Sequence, residues 1–191
     1  MNYSEEFKTV DAILNSSAET RAVDGFALSL IKAERQIRKL VTHLIFQFPC
    51  FASSDIPALR IALEKNRRVY FAGFENGFNT LYPKTISNLI GPQYAKLRSR
   101  INEAIDHRNK IFHGQLTSNF LSRDDLIAYV SDIREWCSQL AQGAVNEFQY
   151  DGFGRNSFQK SEIGDLATRF RHTISDIKGY ERFIKSHMAR P

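Results

Sequence analysis

The chain has 191 residues, of which 42% are hydrophobic and 12% aromatic. This composition supports one hydrophobic core and excludes the disordered, collagen-like and low-complexity classes. We therefore expect a single domain over residues 1–191. The formal net charge of +5 is compatible with a phosphate-bearing partner and does not require one.

The cysteines and the apolar runs indicate a protein of the reducing cytoplasm. Cys50 and Cys137 lie far apart without C-x-x-C spacing, so we predict neither a disulfide framework nor a zinc knuckle. The first ten residues carry acidic side chains where a secretory leader would be basic and then apolar. The longest apolar stretch, 44–52, is about half as long as a membrane-spanning helix requires. We expect no association with a membrane.

The periodicity of apolar residues predicts an all-α protein. Apolar side chains recur at helical spacing through most of the chain, and no alternating strand-like runs flank an Asn-Gly or Asp-Gly turn. Proline, glycine and capping residues set the boundaries. The predicted helices, in chain order, cover approximately 4–15, 19–48, 54–82, 91–113, 122–148 and 161–188. We expect them to pack as an antiparallel bundle of five to six helices.

The third predicted helix is unusually aromatic. Its apolar positions follow i, i+3, i+4, i+7 spacing, which favours core packing over a ligand site. They are Tyr70, Phe71, Phe74, Phe78 and Leu81. Gly73 and Gly77 in the same helix permit the close approach of a neighbouring element. Trp136, on the fifth predicted helix, is also expected in the core.

Several classes of active site are absent from the sequence. There is no G-x-x-x-x-G-K-[ST] phosphate loop, G-x-S-x-G elbow or G-x-G-x-x-G fingerprint. No Glu-x-x-His pair and no histidine pair four residues apart suggests a metal centre. We expect no metal and no cofactor, and any catalysis should be metal-free or use a weakly bound metal.

One segment, 101–114, combines reactive side chains with a marked helix end. It contains Arg108, Asn109 and His113, followed by the helix-stopping Gly114. The bare R-x-x-x-x-H spacing is a weak signal, because it occurs three times in this chain. The other two pairs are Arg38 with His43 and Arg182 with His187. Only Arg108 is followed by Asn, and only His113 is followed by Gly.

The motif Arg108-Asn109-x-x-x-His113 resembles the signature of the HEPN superfamily. The resemblance implies an α-helical bundle that acts as a metal-independent endoribonuclease, with Arg108, Asn109 and His113 as catalytic residues. Such an enzyme uses the ribose 2′-hydroxyl as nucleophile and leaves 2′,3′-cyclic phosphate and 5′-hydroxyl ends. The resemblance further implies a homodimer with a composite active site. It also implies a toxin of a toxin–antitoxin or anti-phage defence system, with an antitoxin or regulatory protein as a further partner.

A helical wheel places these residues beside an apolar face. Arg108 falls within the face and must be paired, because an isolated buried charge costs several kcal/mol. The flank of the face carries polar groups able to hold a phosphate and move a proton. They are Arg98, Asn102, Asn109 and His113. We expect Arg98 and Asn102 to contact RNA.

The alternative interpretation of these residues is structural. Arg108 would then meet a core carboxylate, and His113 would be a cation near a helix C-terminus, where the dipole favours it. On this view the chain is a non-catalytic HEPN-like module that binds RNA or a protein, or a helical scaffold with no nucleic-acid role.

A loop at 151–160 offers a further candidate contact with RNA. It mixes glycine and two phenylalanines with Arg155, Asn156 and Lys160, a composition that can stack a base and hold its phosphate. The alternative is a connector whose phenylalanines pack into the bundle. We include Arg155 among the expected RNA-binding residues.

Overall fold

The computed structural model describes residues 3–66, 69–115, 121–154, 156–164 and 166–189. Regular secondary structure in these residues is helical, apart from one isolated bridge between Val69 and Ala189. The α-helices are α1 (Tyr3–Glu6), α2 (Lys8–Leu14), α3 (Arg21–Phe46), α4 (Ile56–Glu64), α5 (Phe71–Leu81), α6 (Ile86–Ile90), α7 (Tyr94–Phe112), α8 (Arg123–Phe148) and α9 (Ile177–His187). The predicted all-α class is confirmed, and the helices form a packed bundle.

Helices α3 and α8 form the centre of the bundle. Each has 26 residues, and together they make the most extensive helix pair. The buried side chain of Gln36 joins them, because its Nε2 donates to Cys137 O (2.9 Å) on α8 and to Asp151 O (3.0 Å) just beyond it. Helices α2 and α5 pack on α3, helices α6 and α7 on α8, and α9 on α4 and α5.

The predicted helix 122–148 is confirmed together with its cap. The Ser122 hydroxyl accepts from Asp125 N–H (3.1 Å), and the Asp125 carboxylate accepts from Ser122 N–H (2.9 Å). This reciprocal pair satisfies two backbone donors that the first turn of a helix leaves unpaired. The prediction for the long first-half helix is also confirmed, with α3 ending two residues before the predicted Phe48.

The predicted helix 54–82 is wrong as one element. It is divided into a 3-10 turn at Ser53–Asp55, then α4 and α5, and neither helix includes Lys65 or Asn66. The aromatic stripe of α5 is buried as predicted, except for Tyr70, which precedes the helix and is 51% exposed. Gly73 and Gly77 do face a close neighbour, since a Cβ at either would touch Met188, the residue after α9.

The last predicted helix, 161–188, begins much later than expected. Asp176 caps α9 by accepting from Gly179 N–H (2.6 Å), and in the described part of the preceding segment the only regular element is a 3-10 turn at Leu166–Arg169. Tertiary hydrogen bonds hold that segment in an irregular path, among them Arg171 N–H to Leu81 O (2.9 Å). The first predicted helix, 4–15, is also divided, into α1 and α2. A further short helix, α6, lies in a segment for which we predicted none.

The loop at 151–160 is tied to the bundle in its described part. Phe153 is buried in the core, and Lys160 Nζ donates to Phe48 O (2.8 Å) beyond the end of α3. These contacts favour the connector interpretation. Arg155 lies outside the described residues. Trp136 is fully buried, as predicted.

Among the described helices, none is both long and apolar enough to cross a membrane.

Gly143 provides a test of the packing of α6 on α8. A Cβ at this position would lie 2.4 Å from Leu89 O and 2.9 Å from two more Leu89 backbone atoms. Overpacking of this kind costs about 1–3 kcal/mol, more than the ~0.5–1 kcal/mol that alanine gains over glycine within a helix. We therefore expect Gly143→Ala to lower the free energy of unfolding in urea by about 2 kcal/mol.

Gly164→Ala is the matched control, because an added Cβ there meets nothing within 4 Å. It should leave the free energy of unfolding nearly unchanged. Equal stability of the two variants would show that α6 does not pack this closely on α8.

Candidate active site

The carboxyl end of α7 presents the motif as the sequence predicts. The helix ends at Phe112, and His113 is its C-cap residue. Gly114 adopts a positive φ of 62°, which lets Gln115 N–H donate back to Lys110 O (2.9 Å) and closes the helix. The imidazole of His113 is exposed to solvent.

A pocket of about 560 Å³ lies between α3, the start of α5 and α7. Its lining includes two cationic, two acidic, two amide and two aromatic side chains. They are Arg98, Arg108, Glu34, Asp106, Asn102, Asn109, Tyr70 and Phe71. Four of the six predicted site residues therefore lie together at one pocket. The formal charges in the lining cancel, so the pocket is polar without being strongly basic.

Arg108 is paired, as its place on the wheel requires. Its Nη1 donates to Glu34 Oε2 on α3 (3.1 Å), and its Nε donates to Asn109 Oδ1 (3.2 Å). The side chain remains 21% exposed. The partner of Arg108 is thus a carboxylate at the pocket wall, and this agrees with the structural interpretation of this residue. No local pattern distinguishes Glu34 from the other charged residues of α3.

Arg98 is held more tightly than a free RNA contact would be. Its Nε donates to Glu75 Oε2 (2.6 Å), and its guanidinium lies over the Phe71 ring, 5.1 Å from the centroid. It also donates through Nη1 to Asn102 Oδ1. Only 14% of the side chain is exposed. Arg98 therefore lines the pocket while neutralising a buried carboxylate.

Glu75 is the buried group at the back of the site. It lies on α5 inside the aromatic stripe and accepts from Tyr94 OH (2.7 Å) as well as from Arg98. Burial, and then the hydrogen bond to Glu75, raise the pKa of Tyr94 to about 12. Sequence reasoning missed Glu75, although a carboxylate within an apolar stripe is itself a sign that a cation must lie opposite.

His113 does not line the pocket that holds Arg108. Residues five positions apart on an α-helix project about 140° apart around its axis. The two predicted catalytic side chains of one protomer are therefore directed differently, with Arg108 at the pocket and His113 at the exposed end of the helix.

His107 lies on the other side of α7, facing α8. Its Nε2 is 3.1 Å from Tyr129 OH, and that hydroxyl donates to Glu103 Oε2 (2.9 Å). These contacts join α7 to α8 and leave His107 outside the pocket. In the described part of the chain, no three or more His, Cys, Asp or Glu side chains are grouped so that they could hold a metal ion.

Comparisons with protein-family models, with curated proteins and with solved structures give no match in any of the three. The side chains of the pocket are therefore the basis for any functional assignment.

The two pocket arginines should differ in their contribution to stability. Removal of the cation from a buried pair leaves an uncompensated carboxylate, at a cost of about 3–5 kcal/mol. A more exposed pair contributes about 0–1 kcal/mol. We expect Arg98→Leu to lower the free energy of unfolding by about 3 kcal/mol and Arg108→Leu by less than about 1 kcal/mol, measured by urea denaturation.

The double variant Arg98→Leu/Glu75→Leu is the control for the buried charge. It should regain much of the stability that Arg98→Leu loses, because the unpaired carboxylate is gone as well. A similar loss of stability for Arg98→Leu and Arg108→Leu would contradict the assignment of Arg98 as the structural one of the two pocket arginines.

Proposed function

We propose that the protein is a metal-independent endoribonuclease of the HEPN type. The observation that carries the proposal is the arrangement at the end of α7. Arg108 and Asn109 line a pocket there, and His113 is exposed to solvent at the C-cap of the same helix. The resemblance of these residues to the HEPN signature supports the same assignment. The bundle would then be a HEPN-like fold with α7 as its active-site helix.

The chemistry needs only proton transfer and stabilisation of charge on phosphorus. An imidazole accepts the proton of the ribose 2′-hydroxyl, the 2′ oxygen forms a bond to phosphorus, and the bond from phosphorus to the 5′ oxygen breaks. A second group acts as an acid and donates a proton to the departing 5′ oxygen. The products are a 2′,3′-cyclic phosphate and a 5′-hydroxyl. His113 suits the proton transfers because histidine changes charge near neutral pH.

Arg108 keeps the donors that this role requires. A guanidinium has five N–H groups, and Glu34 and Asn109 each take one of them. The remaining three can bind two non-bridging phosphate oxygens, as arginine does in bidentate contacts. Asn109 keeps its amide N–H groups for the same phosphate, and the exposed ring of Tyr70 offers a surface on which a base can stack.

The site is more complete in a homodimer. His113 lies outside the pocket of its own protomer, so a facing copy can bring its own histidine to that pocket. His113 of the partner subunit would then supply the second proton-transfer group. Large apolar side chains around the pocket support such an interface, since Tyr70 is 51%, Ile31 49% and Phe112 64% exposed. Ile31 is one turn before Glu34, and Phe112 is one turn after Arg108.

This activity suits a toxin in a toxin–antitoxin or anti-phage system. An RNA-cleaving protein of this kind needs an antitoxin or regulatory partner to hold it in check. Both cysteines are free thiols, which is compatible with the reducing cytoplasm where RNA is found.

One observation favours the alternative of a non-catalytic HEPN-like module. The Arg108 guanidinium already binds Glu34, and Asp106 adds a second carboxylate to the lining. A phosphate must displace or share this ion pair. If the pair is permanent, the chain keeps the fold and binds RNA or protein without cutting it.

Cleavage of RNA in the presence of EDTA tests the proposal. Wild-type protein should cut RNA to fragments with 2′,3′-cyclic phosphate ends. His113→Ala and Arg108→Ala should each lower the rate about 100-fold or more, because each removes a group that acts on the transition state. Both variants should also relieve growth arrest on expression.

Lys110→Ala is the control, since it removes a cation from the same turn of α7 at a position outside the pocket. It should cleave at the wild-type rate. Intact RNA with the wild-type protein, together with retained RNA binding, would establish the non-catalytic module instead.

The composite site predicts a dimer that depends on Phe112. A charge in the centre of an apolar interface is strongly unfavourable, so Phe112→Asp should raise the dimer dissociation constant at least about tenfold. Sedimentation velocity measures this directly. Ile61→Asp is the control, because Ile61 is similarly exposed but lies on α4, away from the pocket. A wild-type monomer at high concentration would rule out the composite site.

A further inference from the structure

A second arginine and histidine pair lines a pocket of its own at α9. Arg182 and His187 repeat the R-x-x-x-x-H spacing of the α7 motif, and here both line one small pocket of about 200 Å³. His172, from the segment before α9, lines it as well. Ser175 and Ser186 add hydroxyl groups to the lining. The pocket thus combines a guanidinium, two imidazoles and hydroxyl donors.

Helix α5 holds the backbone at both histidines. Asn76 Nδ2 donates to His187 O (2.6 Å), and the end of α5 accepts from the residue before His172, through Arg171 N–H to Leu81 O (2.9 Å). The two rings lie 5.0 Å apart between centroids. The Phe183 ring lies against both, at 5.8 Å from His172 and 5.0 Å from His187. The fold therefore fixes the backbone at both histidines, and the two imidazoles share one aromatic neighbour.

The charges of this pocket favour an anion. No carboxylate belongs to the described lining, and neither Arg182 nor the two histidines form an ion pair within the described part of the chain. The acidic residues nearest in sequence are Asp176 and Glu181, and neither lines the pocket. Asp176 accepts from Gly179 N–H as the cap of α9. Two imidazolium groups and a guanidinium so close together repel one another, and a bound anion relieves this repulsion.

Charged groups on the helices that pack against α9 do not line this pocket. On α4, Arg60 and Glu64 line a different pocket. On α5, Glu75 is paired with Arg98. Burial, and then the neighbouring His172, lower the pKa of His187. An anion beside this imidazole would oppose that shift, because a negative charge favours the protonated form.

We propose that His172, Arg182 and His187 form a phosphate-binding site, separate from the pocket on α7. The small volume fits one tetrahedral phosphate group and not a whole nucleotide. A metal ion is a poorer occupant, because Arg182 would repel it and two imidazoles are too few ligands. The site does not depend on the proposed nuclease activity, although an RNA backbone or a terminal phosphate carries the chemistry that it recognises.

Protonation controls the affinity. A phosphate prefers the charged imidazoles, so its binding raises the pKa of His187. By linkage, affinity is highest below the pKa of His187 and falls as the pH rises through it. Binding should therefore be strong at mildly acidic pH and weak at mildly alkaline pH.

NMR of the histidine ring protons in full-length protein tests the proposal. Titration with inorganic phosphate, at constant ionic strength maintained with chloride, should move the ring signals of His172 and His187. It should raise the pKa of His187 by about half a unit or more. The signals of His43 and His107, which lie outside both pockets, serve as internal references and should stay in place.

Variants and probes complete the design. Arg182→Gln should weaken phosphate binding about tenfold, because it removes a bidentate charged donor. Lys185→Ala, which removes an exposed cation of the same helix outside the pocket, should leave the affinity unchanged. A dinucleoside monophosphate tests a diester against the free phosphate, and binding of the diester would indicate an RNA backbone as the natural source.

Unchanged signals of His172 and His187 with phosphate would overturn the proposal. So would binding that Arg182→Gln does not weaken, or zinc binding at the two histidines without any response to phosphate. Because the readout is ligand binding at α9, each result can be obtained whether or not the protein cleaves RNA.

Discussion

Helix α7 is held by three arginine–carboxylate pairs, each with a different helix. Arg98 reaches Glu75 on α5, Arg100 reaches Asp132 on α8, and Arg108 reaches Glu34 on α3. These pairs, together with the buried apolar residues Leu97, Ile101 and Ala104, orient the helix about its own axis. That rotation brings Asn102, Asn109 and Arg108 to one pocket and directs His107 towards α8. Two of the three paired arginines, Arg98 and Arg108, therefore line the pocket on α7.

The three ion pairs differ in how easily a ligand could replace the carboxylate as the partner of the arginine. Glu75 is buried, so Arg98 cannot leave it without a large desolvation cost. Arg100 lies over the Tyr129 ring, 3.8 Å from the centroid, and binds Glu103 as well as Asp132. The side chains of Arg108 and Glu34 are 21% and 32% exposed at the pocket, so water screens this pair more than the pair of Arg98 and Glu75. Arg108 is thus the arginine of α7 that a phosphate can recruit at small cost.

The sequence predicted what is local and missed what is long-range. The caps of α8 and the glycine that ends α7 are encoded in a few adjacent residues, so those helices were found with nearly correct bounds. The irregular segment before α9 is different, because contacts with the ends of α3 and α5, such as Ser161 N–H to Gln47 Oε1 (2.7 Å), replace the helical hydrogen bonds that its periodicity suggests. Tyr70 was predicted in the core because it fits the helical periodicity of the aromatic stripe. The helix α5 begins one residue after it, so Tyr70 does not share the buried face.

The partners of the site residues also depend on long-range contacts that the sequence does not reveal. Arg108 was expected to need a carboxylate, but which one depends on how α3 packs on α7, and 74 residues separate the two partners. Glu75 could be suspected from its place among aromatic residues. Its partner could not be chosen, because α5 and α7 each carry several polar residues.

The three R-x-x-x-x-H pairs show that spacing alone does not create a site. His43 is fully buried beside the Tyr150 ring, with centroids 4.4 Å apart, whereas Arg38 is exposed, so the first pair does not share one site. His113 stands at an exposed helix end, where it needs a second chain to meet an arginine pocket. Arg182 and His187 are also five positions apart on α9, and His172, from outside this helix, lines the same pocket as both of them. A site forms where the tertiary fold places a residue of another element beside the arginine and the histidine.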